Sequence, residues 1–183
     1  MKKNLLLTIV CLVVIGALAF VIIFTPLRDA SALSLQDFYN GTEFAYRETM
    51  WGTNVKEVQK VLPFRIVADD SRGENDEGWT YYTAKPDFRL DDMEAAVTVE
   101  FENDALRVVR FVFTADGNYQ AWFEAQAAAL AALYGDDYEC LQNANELLAS
   151  TSYRWETDTS SLQLILVTGK TIEPAITLGV AAK

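Results

Sequence analysis

The stretch AAVTVEFENDALRVVRFVF, residues 95–113, decides the fold because it reads as two strands joined by a turn. Apolar and polar residues alternate over residues 95–101, and the alternation returns over residues 106–113. A connection with an odd number of residues places the apolar positions of both strands on one face and leaves Arg110 on the solvent-exposed face. A shift of the strand register by one residue would bury Arg110 instead. The stretch therefore predicts an antiparallel hairpin with one buried face.

Two amphipathic helices are predicted, one on either side of this hairpin. The first begins after Thr53 or Asn54, either of which can cap it, with Glu57 completing a capping box, and it must stop at Pro63. Its apolar face consists of Val55, Val58, Val61 and Leu62. The second runs from Asn118 to Tyr134, closed by Gly135. Its predicted buried stripe consists of Tyr119, Phe123, Ala127, Leu130 and Tyr134.

Further strands are predicted from short alternating or apolar runs separated by turn residues. They cover residues 64–67, 79–83, 150–157, 162–167 and 176–180. A helix followed by strands therefore occurs twice along the chain. This order predicts an α+β domain in which helices pack on a mostly antiparallel sheet, built from two helix-then-strands units.

The N-terminal segment predicts a membrane anchor. Residues 5–25 form an uncharged stretch of 21 residues, long enough to cross a bilayer as a helix. Lys2 and Lys3 precede it, which predicts a cytoplasmic N-terminus and an extracytoplasmic domain at the cell membrane. The domain organisation is then a cytoplasmic tip and transmembrane anchor at 1–25 in contact with the lipid bilayer, a stalk at 26–45, and the folded domain at 46–183. A cleavable signal ending near residues 30–32, Ala-Ser-Ala, is the alternative, and it gives the same orientation.

Composition excludes several classes of function. All 26 acidic residues follow the apolar stretch and face 13 basic ones once Lys2 and Lys3 are set aside, so we expect no nucleic-acid partner. The chain has no histidine, which removes the commonest general base and the usual zinc ligands. Cys140 is the only cysteine beyond the apolar stretch, so the domain has no internal disulfide. The acidic loop 69–77 lacks the alternating spacing of a calcium loop, so we expect no metal there. We also expect no cofactor and no catalytic residues.

The segment from Trp51 to Pro63 resembles the helix signature of small bacterial envelope domains, the group that includes the SmpA/OmlA outer-membrane assembly lipoproteins and the beta-lactamase-inhibitor-protein-like domains. The matching residues are Gly52, Thr53, Glu57 and Val58. The second helix-then-strands unit looks like a further copy of the same module. The resemblance implies a protein-binding surface on a sheet and no enzymatic activity, and the absent lipobox separates this chain from the outer-membrane members.

An aromatic group beside the acidic loop is the candidate contact patch. It consists of Trp79, Tyr81 and Tyr82, with Tyr82 pointing opposite to its two neighbours in an extended strand. Aromatic residues that are half apolar and half polar are enriched in binding surfaces. The sequence thus favours a non-catalytic module that binds a protein or another component of the cell envelope. Two alternatives stay open: a cell-wall hydrolase that uses paired carboxylates, and an accessory subunit of a membrane complex that associates through its N-terminal helix.

Overall fold

The computed structural model describes residues 32–72, 78–84, 88–114 and 117–183. These residues contain two α-helices, α1 (Val55–Val61) and α2 (Tyr119–Tyr134), and two short 3₁₀ helices, Leu35–Phe38 and Asp70–Arg72. The strands are β1 (Ile66–Ala68), β2 (Trp79–Ala84), β3 (Phe88–Leu90), β4 (Met93–Glu102), β5 (Ala105–Thr114), β6 (Glu139–Ala144), β7 (Leu148–Glu156), β8 (Ser160–Gly169) and β9 (Ala175–Ala182).

The nine described strands form one antiparallel sheet. Their spatial order is β1-β2-β4-β5-β9-β8-β7-β6, and β3 pairs with β4 beside this path. The pairing of β5 with β9, through Val109 with Val180 and Phe111 with Leu178, joins the first half of the strands to the second. The two halves therefore share one sheet and one core.

The hairpin predicted from residues 95–113 is formed by β4 and β5, and its facing is confirmed. Val97 pairs with Phe111 and Val99 with Val109, which leaves Arg110 on the opposite face. The connection is even rather than odd, since only Asn103 and Asp104 lie between the paired ends, both with positive φ (51° and 62°). A bulge opposite Glu100 and Phe101 adds one residue to β5. This extra residue has the same effect as an odd-length connection, so the apolar side chains of both strands lie on one face.

The hydrophobic core lies on one face of the sheet, centred on Phe111. The ring centroids of Phe38, Tyr46 and Phe88 lie 5.6, 5.1 and 5.4 Å from the centroid of Phe111. Helix α1 contributes Val58 to this core, and helix α2 contributes Phe123, Ala127 and Leu130. Both helices therefore cover the same face of the sheet.

The segment that precedes α1 belongs to this core as well. Leu33, Phe38 and Phe44 are buried, although the sequence assigned residues 26–45 to a stalk. The Phe44 amide donates to the buried hydroxyl of Ser160 at 2.9 Å, and the Trp51 indole donates to the Phe44 carbonyl at 3.0 Å. These contacts tie residues 33–51 to the far half of the sheet.

The predicted architecture, a transmembrane helix plus an α+β domain made of two helix-then-strands units, is wrong. The described chain is mostly a nine-stranded antiparallel sheet with two α-helices, of seven and 16 residues. In the described ranges, no helix combines the length and the apolar character that crossing a bilayer requires, so the membrane and signal-anchor interpretation gains no support. Residues 1–25, on which the anchor prediction rests, lie outside the described residues. Local periodicity identifies single elements, but it gives no information about β5 pairing with β9, which merges the two units into one layer.

Candidate functional site

The face of the sheet opposite the helices, called the open face below, is the candidate site. Thr98, Arg110, Gly179, Gln163 and Arg154 form one row of paired residues across it, on strands β4, β5, β9, β8 and β7. None of them belongs to the hydrophobic core. The core side chains of α1 and α2 contact the other face, so neither helix covers this surface.

A depression of about 290 Å³ lies at the centre of the open face. Gly179 sits between Arg110 and Gln163 in the row, so the middle position has no side chain. A Cβ added at Gly179 would lie 3.0 Å from the carbonyl oxygen of Val109 and 3.3 Å from the Cα of Arg110. Close approach of β5 to β9 therefore keeps a larger residue out of this position. Apolar side chains on either side complete the lining: Val108, Ile165 and Val167.

The Arg110 guanidinium supplies the charge at the edge of the depression. Its Nη1 lies 3.3 Å from Oε1 of Glu100, whose side chain is only 8% exposed. That distance makes an ion pair, but the geometry is not that of a hydrogen bond, and Glu100 Oε1 has no hydrogen-bond partner among the described residues. A buried carboxylate oxygen without a donor is costly, so the nearby charge of Arg110 is what offsets the burial of Glu100.

A second charged cluster lies on β7, the strand next to the end of the sheet. Glu156 accepts Nη2 of Arg154 and Nζ of Lys183, each at 2.7 Å. The hydrogen bond from Lys183, supported by the charge of Arg154, lowers the pKa of the Glu156 carboxyl. The ion pair of Arg107 with Glu102, at 2.9 Å, lies on the β4–β5 side. Paired charges therefore lie on both sides of the depression.

The structure divides the predicted contact patch between the two faces. Trp79 and Tyr81 pair with Glu102 and Glu100, which places them on the open face. Tyr82 pairs with Val99, and its ring packs at 5.3 Å against Phe101 in the core side of the sheet. A smaller pocket of about 200 Å³ lies between the ends of β1 and β2 and includes Trp79 and Tyr81 in its lining.

The sequence did not point to Gly179 or Gln163 as site residues. Arg110 was considered only because its position shows which face of the hairpin is exposed. A signal for Gly179 was present, because a glycine inside an apolar alternating strand marks a bulge or a close approach of backbones. Within the described ranges, no three Cys, Asp or Glu side chains are grouped as metal ligands would be. The arrangement is a mixed apolar and charged surface with a central depression, which is suited to binding.

Comparison of the chain with protein-family models, with curated proteins and with solved structures found no match. The resemblance of residues 51–63 to small envelope domains therefore stays a prediction.

Proposed function

We propose that this protein is a non-catalytic binding module that holds a protein or another envelope component against the open face of its sheet. The observation that supports this most is the asymmetry of the sheet. Its helices cover one face, while the other presents a depression at Gly179 beside the ion pair of Arg110 and Glu100. A buried apolar anchor surrounded by polar groups is the usual arrangement of a binding surface.

The chemistry of the depression indicates what part of a partner it would accept. Val108, Ile165 and Val167 offer apolar contact, and the Arg110 guanidinium offers donors to a carboxylate or a backbone carbonyl. An apolar side chain with an adjacent acceptor, as on an extended loop of a protein, satisfies both. Trp79 and Tyr81 would add aromatic contacts towards the β2 edge.

The ion pairs of the open face support binding in preference to hydrolysis. A glycoside hydrolase needs one protonated carboxyl and one carboxylate at a defined separation. Three glutamates of this face are instead paired with arginine: Glu100 with Arg110, Glu102 with Arg107 and Glu156 with Arg154.

We propose an extracytoplasmic location for this module. A cleavable export signal ending near residues 30–32 delivers the domain to the same side as the alternative N-terminal interpretation does. Protease added to intact cells should then degrade the domain, and full protection from protease would contradict the location.

Site-specific photo-crosslinking in cells tests the binding function. A photoreactive residue at Gln163 or Thr177, both on the open face, should capture the same species, which mass spectrometry identifies. The matched control position is Lys60, which is exposed on α1 at the covered side. Equal capture of that species from Lys60, or no capture from either open-face position, would contradict the proposal.

A pair of substitutions separates specific binding from adventitious capture. Ile165→Arg places a long charged side chain in the lining of the depression and should abolish the crosslink from Thr177. Leu133→Arg adds the same charge at an exposed position of α2 and should leave that crosslink unchanged. Equal effects of the two variants would show that the depression is not the binding site.

A further inference from the structure

Strand β6 forms one end of the sheet and is paired on one side only in the described structure. It is the last strand in the spatial order and contacts β7. It has six residues, and all of them are exposed. Strand β1, at the other end of the sheet, has only three residues. An exposed edge strand of this length is a template on which another strand can pair.

The register of the β6–β7 hairpin shows which backbone groups face outwards. The Asn145 amide donates to the Leu148 carbonyl at 2.8 Å and closes a two-residue turn, so Asn145 and Leu148 are a hydrogen-bonded pair. Bonded and non-bonded pairs alternate along an antiparallel ladder. The amides and carbonyls of Cys140, Gln142 and Ala144 therefore point away from β7, towards the free edge.

The charged residues of β6 itself and of the turns at its two ends are all acidic. Residues 135–147 contain no lysine or arginine. They contain four acidic residues: Asp136, Asp137, Glu139 and Glu146. Two bases lie close by. Arg154, opposite Glu139 on β7, is ion-paired with Glu156. The amide of Lys170 donates to the carbonyl of Leu147 at the turn. Asp136, Asp137 and Glu139 lie at one end of β6 and Glu146 lies in the turn at its other end.

This charge distribution selects the occupant of the edge. A second copy of the chain, paired antiparallel through β6, would bring Asp136 and Asp137 of each copy against Glu146 of the other. Like charges opposed in this way are destabilising, whereas lysine or arginine at both ends of an incoming strand would be attracted. Leu141, which is 44% exposed on the open-face side of β6, provides apolar contact at the centre.

We propose that β6 binds an extended segment of a partner protein as an additional strand of the sheet, and that this segment carries basic residues at its ends and an apolar residue beside Leu141. The outward amides and carbonyls of Cys140, Gln142 and Ala144 form the backbone hydrogen bonds, and the acidic ends select basic sequences. The added strand lies beyond the open face and is independent of the depression at Gly179.

Fluorescence anisotropy with the full chain and a labelled peptide, Lys-Thr-Val-Thr-Val-Thr-Lys, tests this proposal. Gln142→Pro removes one outward amide from an edge strand, where proline is tolerated, and should weaken peptide binding about tenfold. Gln142→Ala keeps that amide and is the matched control, with affinity close to that of the unchanged chain. A peptide with glutamate in place of both lysines should not bind.

Amide hydrogen exchange locates the bound strand. In the unbound chain the amides of Cys140, Gln142 and Ala144 should exchange fast, and saturating peptide should protect these three while leaving Leu141 unchanged. Equal binding by the Gln142→Pro and Gln142→Ala variants, equal binding of the acidic peptide, or no binding of the basic peptide would each overturn the proposal. A dimer in sedimentation that Gln142→Pro dissociates would overturn it too, because the occupant would then be a second copy.

Discussion

At the scale of single residues, Gly179 shows how one missing side chain shapes the candidate site. The depression exists because β9 carries no side chain between Arg110 and Gln163 at a point where β5 approaches closely. The neighbouring atoms that restrict this position belong to the backbone of a central strand, which cannot move aside without disturbing its own hydrogen bonds. The depression is therefore a structural consequence of close strand packing.

Gly179→Ala should lower the free energy of unfolding by about 1 kcal/mol, because the added methyl group would lie 3.0 Å from the Val109 carbonyl oxygen. Urea denaturation measures the difference. Thr177→Ala, on the same strand and face, adds no atoms and should change stability by less than about 0.5 kcal/mol. A Gly179→Ala variant as stable as the unchanged chain would show that the backbone can yield at this point.

Tyr134 is the second residue whose environment allows a measurable prediction. Burial, with a smaller contribution from the charge of Asp37, raises the pKa of its hydroxyl from 10.0 to about 12. The hydroxyl donates to the carbonyl of Leu35, so the neutral phenol is the form that the fold stabilises. Its contribution to stability is complete below pH 10 and is lost as the pH rises from 10 towards 12.

Spectrophotometric titration of tyrosine ionisation checks this value. The folded chain should show a component near pH 12 that disappears in the Tyr134→Phe variant. Tyr39→Phe also removes one phenol, from a more exposed position, and should leave that component in place. Loss of the component in both variants, or in neither, would contradict the assignment.

At the scale of secondary-structure elements, the cap of α1 explains why so short a helix forms. Asn54 Oδ1 accepts the amides of Lys56 and Glu57 at 3.0 and 3.1 Å. The predicted reciprocal bond from the Glu57 side chain is replaced by an ion pair with Lys60 at 2.7 Å. Only Val58 of the seven helical residues is buried, so the cap is a large part of what holds the helix.

Asn54→Ala should therefore destabilise the protein by about 1 kcal/mol, since two amides of the first turn lose their acceptor. Denaturant unfolding followed by circular dichroism is the measurement. Asn118 occupies the corresponding position of α2 and makes no side-chain capping bond, so Asn118→Ala should have a smaller effect. Equal losses from the two substitutions would show that capping is not the cause.

The elements also show where periodicity succeeds and where it fails. Helix α2 and its closing Gly135 were predicted from alanine-rich amphipathic sequence and are confirmed. Strand β6 was missed because its residues, ECLQNA, are exposed on both faces, and no alternation of apolar and polar residues exists to be detected. A strand that is exposed to solvent on both faces forms because it pairs with β7, and its own sequence carries no pattern that predicts it.

At the scale of the whole molecule, stability depends on Phe111, where the two halves of the sheet and the N-terminal segment meet. Phe111 is fully buried and contacts the rings of Phe38, Tyr46 and Phe88. Phe111→Ala should cost about 3–5 kcal/mol, because it opens a cavity beside three aromatic rings. Val112→Ala, one residue along β5 on the open face, should cost less than about 1.5 kcal/mol.

Calorimetry of both variants measures this contrast, and it also tests whether the sheet unfolds as one unit. A single transition that shifts as a whole in Phe111→Ala would agree with one shared core. Two separate transitions, of which only one shifts, would contradict it and would instead favour two independent helix-then-strands units.

The sequence by itself determined the hairpin of residues 95–113, the helix of residues 119–134 with Gly135, and the strong negative charge of the chain. These features are local, since alternation, caps and composition act within a few residues of each other. The tertiary structure alone decided the pairing of β5 with β9, the division of Trp79 and Tyr81 from Tyr82, and the depression at Gly179. Each of those depends on residues about 20 to 70 positions apart in the chain that meet by packing, and packing leaves no periodic trace in either segment.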